Sequence, residues 1–184
     1  EVADTTDPTA VKGLIDRIAG EVGPPDVLVN TLGTFRPGDA LAATPETLRL
    51  MIDVNLGPAL WLSQAVAPYM QRRGSGAIVH VAARPGIEPT GGMAAYSVSK
   101  AGQVALMKML TLELGEHQIR VNAVCPGAIR THIGESTYKR GTEKIKVRVE
   151  LPEGNPAVNQ GHGEPDDVAD VCLFLASEQA RHVS

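Results

Sequence analysis

Three short apolar runs, each bounded by glycine, proline or small residues, alternate with longer stretches of helical character, and this rhythm limits the chain to few architectures. The runs are "PDVLVNTLG" (25–33), with Val27, Leu28 and Val29 set between Pro25 and Gly33, "GAIVHVAA" (76–83) and "IRVNAVCPG" (119–127). Each is of strand length and apolar at successive positions, the pattern of a strand buried on both faces. Helical stretches are expected at 8–21, 45–73, 92–116 and 165–177. Pro8 and Pro165 sit in first turns with acidic residues beside them, and Thr44 of "TPET" is placed to cap the second stretch. Strand and helix in this alternation predict a doubly wound parallel sheet in a three-layer α/β/α arrangement.

The chain has 184 residues, 43% of them apolar and 21% charged, enough for one core, and residues 1–184 are expected to form one domain. Seventeen basic against 21 acidic residues give a formal charge of −4 with no long block of Lys and Arg, which argues against a nucleic-acid surface. Cys125 and Cys172 lie in apolar surroundings without Cys-x-x-Cys or Cys/His spacing, so neither a metal site nor a disulfide is expected and a reducing cytoplasm fits. No apolar run approaches about 18 residues and the first ten residues are polar and acidic, so no membrane span or signal peptide is expected.

In "YSVSKAGQVALMKMLTLELGEH" the apolar residues leave only a narrow polar stripe, the pattern of a helix covered on nearly every side. The long helix around "ALWLSQAVAPYMQ" shows a similar excess. A second subunit packed on the helices at 57–73 and 96–116, giving a homodimer or homotetramer, would supply the cover that one sheet cannot.

Tyr96 and Lys100 stand four positions apart in that same stretch, one helical turn on one face. A phenol, with a pKa near 10, exchanges protons poorly at neutral pH unless a cation stabilises its anion, so the pair suits a tuned acid/base. Around it lie "VLVNTLG" with Asn30 and Gly33, "MIDVNLGPA" with Asn55, and "NAVCPGAIRTHI" with Pro126, Gly127, Ile129 and Thr131. In this order and spacing, a strand ending N-x-x-G, an Asn, a Tyr-x-x-x-Lys and a P-G-x-I-x-T, the chain resembles the short-chain dehydrogenase/reductase family. The resemblance runs through nearly all of the sequence, from "ADTTD" to "GEPDDVADVCLFLASEQARHVS".

What the resemblance implies is a Rossmann-like fold and an NAD- or NADP-dependent hydride transfer between nicotinamide and an alcohol or ketone carbon. Tyr96 would be the acid/base. Lys100 would lower the phenol's pKa and hold the nicotinamide ribose, and Asn55 would keep a water in a proton relay behind that lysine. Asp4 would meet the adenine, Asn30 and Gly33 would line the adenosine channel, and Pro126, Gly127, Ile129 and Thr131 would seat the nicotinamide end.

Three departures accompany the resemblance. Thr31 and Leu32 of "NTLG" stand where the family has Asn and Ala. The glycine-rich phosphate turn, the first strands and the last strand of the family have no counterpart in the sequence, so a truncated form is expected, lacking part of the nucleotide cradle. The family's carbonyl-orienting serine, 13 positions before the tyrosine, is Ala83 here, and His80, Arg84 and Thr90 are the alternative donors.

The polar segment 134–165 is expected to cover the substrate. Its Lys139, Arg140, Lys144, Lys146 and Arg148 would either favour an anionic substrate or form a solvated face. Two functions remain open: a short-chain oxidoreductase, or a catalytically impaired nucleotide-sensing or scaffold protein that kept the fold.

Overall fold

The computed structural model of the protein describes residues 2–88, 90–134 and 162–184. The basic cluster from Lys139 to Arg148, and most of the expected substrate-covering segment, lie outside the described residues. The elements run α1 (Pro8–Glu21), β1 (Val27–Asn30), α2 (Pro45–Met51), a π-helical turn (Ile52–Leu56), α3 (Gly57–Arg73), β2 (Gly76–Val81), α4 (Ala94–Leu114), β3 (Ile119–Val124) and α5 (Pro165–Ala176). Local chemistry sets their ends. The Asp7 carboxylate accepts from Thr9 N ahead of Pro8, Thr44 accepts from Thr47 N, and Glu164 with Asp167 forms a capping box. Gly74 ends α3 with φ at 71°, a left-handed conformation glycine adopts without strain.

The three strands are parallel in the order β1-β2-β3, and Asn30 is paired with His80 in the β1–β2 register. Because side chains alternate across a strand, β2 serves two layers. Ile78 belongs to the core beneath α1, α3 and α4, with Val11, Leu62, Val66 and Leu110; Val79 belongs to a second core with Cys172 and Leu175 of α5. Helices therefore cover both faces, as the alternation predicts. Coverage is uneven: α5 packs on β2 and β3, so Val27 and Val29 of β1 are 44% and 41% exposed on that face instead of buried.

The stretch read as one helix over 45–73 is two helices around a π turn. The Gly57 N–H bonds back five residues to Ile52 O, and Pro58 offers no N–H to resume the regular pattern at once. The apolar excess expected on this segment is absorbed inside the chain, since α1 packs along α3 and no large apolar side chain of α3 is among the exposed ones. On α4 the excess remains, with Val98, Met109 and Leu112 exposed, Leu112 at 75%. Among the described residues no helix is long and apolar enough to cross a membrane.

Candidate active site

A cavity of about 1090 Å³ opens at the carboxyl ends of the three strands and runs along the uncovered face of β1 past Val27 and Val29. Thr31 and Gly33 border it from beyond β1, Val81, Ala82 and Ala83 from the end of β2, and Pro126, Gly127, Ile129 and Thr131 from beyond β3. Tyr96 and Lys100 enter from α4, and Val168, Cys172 and Leu173 of α5 give it an apolar wall. Ligands of open parallel sheets bind in such a crevice. Extended hydrogen bonding beyond the strands, from Ala82 N to Val124 O and from Arg84 N to Pro126 O, both 2.8 Å, holds the rim together.

Lys100 is 3% exposed and its ammonium is fixed by two acceptors, Val81 O and Gln103 Oε1, each at 3.0 Å. Its third N–H has no protein acceptor among the described residues. The Tyr96 ring meets Phe35 edge to face at 4.9 Å between centroids and 73° between planes, while Lys100 Nζ stands 5.9 Å from the ring centroid. Close approach here depends on glycine: a Cβ on Gly33 would come within 3.3 Å of Lys100 Nζ and 3.4 Å of Asn55 Oδ1, and one on Gly86 within 2.8 Å of the Lys100 backbone.

Asn55, wholly buried on the π turn, braces the site from behind. Its side chain exchanges two hydrogen bonds with the Thr34 backbone, accepting from N at 2.7 Å and donating to O at 3.1 Å, and donates to Ser99 Oγ at 2.9 Å. Ser99 Oγ in turn donates to the main-chain carbonyl of Tyr96 at 2.7 Å. The Asn55 carbonyl accepts from Gln103 Nε2 at 2.6 Å. Between this carbonyl and Lys100, where the resemblance implies a water, stands the amide of Gln103.

Burial lowers the Lys100 pKa to about 8, against a smaller rise from Cys125, so the ammonium is still mostly charged at neutral pH. Burial also raises the Tyr96 phenol. Lys100 is not among the causes of that shift, and two of its three protons are held by Val81 O and Gln103 Oε1.

The other expected residues divide between the cavity and its surroundings. Asn30 is buried behind the cavity, its Oδ1 accepting from Leu32 N at 3.1 Å and its Nδ2 meeting His80 Nδ1 at 3.3 Å. Strand alternation turns Asn30 to the α3 side, and it is Thr31 that reaches the cavity. Asp4 is exposed, bonded to Thr6 N and Oγ1, and does not border the cavity. Of the three alternative donors, none lines the cavity: His80 contacts Ser63 in the core, Arg84 pairs with Glu88 at 3.3 Å, and Thr90 turns to Glu88 O. Ala83 itself does line it.

Sequence reasoning passed over Ser99, Gln103 and the α5 wall. The first two were legible as the polar stripe of α4, which with Tyr96 and Lys100 repeats at intervals of three and four residues. That stripe faces the interior rather than solvent. Among the described residues no cluster of three His, Cys, Asp or Glu side chains is placed to hold a metal ion.

A parallel sheet with helices on both faces and a cavity at its strand ends defines the doubly wound α/β class. Within it, a model described as enoyl-(acyl carrier protein) reductase matches residues 2–184. The chain is 38% identical over 186 residues to 2,3-dihydro-2,3-dihydroxybenzoate dehydrogenase of Bacillus subtilis (strain 168), covering 99% of this chain and 70% of that relative. A crystal structure of a 3-ketoacyl-ACP reductase from Sinorhizobium meliloti 1021 superposes with a TM-score of 0.87 at 36% identity, covering 99% of this chain and 73% of the other. The structure of ElxO with NADP bound gives 0.82 at 26% identity, covering 98% and 71%. The chain belongs to the short-chain dehydrogenase/reductase family, and the relatives it matches are oxidoreductases.

Proposed function

We propose that the protein is an NAD- or NADP-dependent oxidoreductase acting on an alcohol or carbonyl carbon, with Tyr96 moving the proton on the substrate oxygen. The observation that carries this reading is the convergence of Tyr96, the buried cation of Lys100 and the Gly127–Thr131 segment on one cavity. The residues fit a nicotinamide nucleotide: the backbone at Gly33 leaves a slot beside Lys100 that a Cβ would narrow, and the lysine keeps one N–H for ligand hydroxyls. When bound, the nucleotide supplies or accepts the hydride.

The chain's own residues do the rest. Tyr96, oriented by Phe35, gives its proton to a carbonyl oxygen or takes one from a hydroxyl; Lys100 favours the phenolate once a ligand draws its free N–H toward the cavity. Pro126, Gly127, Ile129 and Thr131 line the cavity and would hold the nicotinamide end, and Asn55 keeps the backbone at Thr34 and the helix at Ser99 in place. The exposed apolar face of α4 supports association into a homodimer or homotetramer.

Ala83 favours a second reading, a nucleotide-binding protein without turnover, since no hydroxyl stands at that rim position. Fluorescence of NADH and NADPH separates the two. Oxidation of bound cofactor by a panel of ketones, lost in Tyr96→Phe, is the expected result; binding without oxidation by any of them would leave the second reading.

A further inference from the structure

Gln103 is fully buried on α4, one turn beyond Lys100, and both ends of its amide are engaged. Oε1 accepts from Lys100 Nζ at 3.0 Å and Nε2 donates to Asn55 O at 2.6 Å. Only one setting of the amide satisfies both contacts, because an ammonium can only donate and a carbonyl can only accept. The bond from Nε2 spans 48 positions in sequence and ties the centre of α4 to the π turn.

We propose that Gln103 is a positioning residue that links the Lys100 ammonium to the Asn55 carbonyl and makes Lys100 a standing cation instead of a member of a proton-passing chain. This rests on the reading of Tyr96 as the proton-moving group with Lys100 as its partner. An apolar side chain here would leave a buried carbonyl and one N–H of a buried ammonium to be satisfied by water, at a cost if water were excluded. A water so held can take up and release protons. A primary amide near neutral pH does neither, so the route from Lys100 toward Asn55 ends at Gln103. The Asn55 side chain spends both amide hydrogens on Thr34 O and Ser99 Oγ, and its Oδ1, which accepts from Thr34 N, keeps a lone pair only beside Gly33, on the cavity side. The proton that Tyr96 gives or takes is therefore exchanged with the cavity side.

The titratable groups facing Lys100 are Tyr96 on its own helix, Cys125 beyond β3 and His80 on β2. The thiol and the phenol are uncharged at neutral pH and His80 is neutral, which leaves the Gln103 dipole and Val81 O as the groups that hold the charge in place.

The test follows the Lys100 titration by NMR in protein carrying labelled lysine, without substrate, the resonance assigned by its loss in Lys100→Met. Gln103→Leu is expected to move the midpoint down by about one pH unit and Gln103→Glu to move it up by at least as much. Gln103→Met keeps the side-chain length without the amide and is expected to follow Leu, which covers the case that the leucine variant does not fold. In turnover, the pH dependence of kcat should shift with the Lys100 midpoint in each variant. Equal midpoints in wild type and all folded variants would overturn the proposal. A wild-type protein that turns nothing over while its Lys100 midpoint still follows residue 103 would overturn the Tyr96 reading and the proton-route part, and leave the positioning contact standing.

Discussion

Asn30 and His80 lie opposite each other in the β1–β2 register and their side chains meet at 3.3 Å on the face of the sheet away from the cavity. Ser63 Oγ donates to Ala59 O, so it accepts from His80 Nε2, leaving Nδ1 bare to accept from Asn30 Nδ2. This assigns the neutral Nε2–H form. Protonation would set a second N–H against the Asn30 amide.

Burial first and Lys100 second lower the His80 pKa from 6.5 to about 4. The unfolded state therefore binds more protons between those values, and stability is complete above about pH 6.5 and falls as pH drops toward 4. The difference is worth about 3 kcal/mol at about 1.4 kcal/mol per pH unit. Urea unfolding of wild type at pH 7 and pH 5 should show about 2 kcal/mol of this loss, and His80→Gln should lack most of it. Parallel pH dependence in the two proteins would refute the assignment.

Tyr96→Phe is expected to reduce turnover by about 10²-fold to 10⁴-fold with nucleotide affinity nearly intact, since in the proposed function the phenol handles a proton. Lys100→Ala should lower both, because it also removes a ligand-facing cation and strands Val81 O and Gln103 Oε1. Equal losses of nucleotide affinity in calorimetry would show the two roles to be wrongly divided.

Ala83 has extended backbone and borders the cavity, so Ala83→Ser places a hydroxyl at the rim without crowding the core. One good bond to a developing oxyanion, roughly 1.5–3 kcal/mol, should raise kcat about tenfold to a hundredfold. An unchanged kcat would place the oxyanion contact elsewhere.

Gly86→Ala sets a Cβ 2.8 Å from the Lys100 carbonyl carbon and 2.9 Å from its oxygen, both backbone atoms that cannot swing aside. The substitution should cost about 1–3 kcal/mol in urea unfolding and displace the start of α4, weakening nucleotide binding. Wild-type stability and affinity in the variant would mean that this contact relaxes freely.

Leu112→Glu on the exposed face of α4 should leave monomer stability within about 0.5 kcal/mol. If that face is an interface, sedimentation will report a lower mass than wild type. The same mass for both would remove the α4 face as the interface.

How much of this was legible in sequence differs from residue to residue. The strands and helix ends were, since Pro8, Thr44 and Gly74 act on their immediate neighbours. The π turn was hidden: Gly57-Pro58 marked a disturbance, but its form depends on Asn55 meeting partners 21 and 44 positions away. Asn30 was recognised as a candidate for the adenosine channel, and alternation from Val29 to Thr31, both at the cavity, turns its side chain to the α3 side. The role of Gln103 needs Asn55 and Lys100 in view together, and no local pattern supplies both.

The π turn over Ile52–Leu56 acts as a phase shift inserted into a helical screw. Residues upstream and downstream of it are each packed in register, with Met51 and Ala59 both fully buried, so the extra rotation is absorbed between them. Deleting any one residue there would restore a regular α-helix and turn everything on one side by about 100° relative to the other. Either the core seats of α3 or the buried amide of Asn55 would then be lost. The segment should accept substitutions at its exposed Asp53 far more readily than any change in its length.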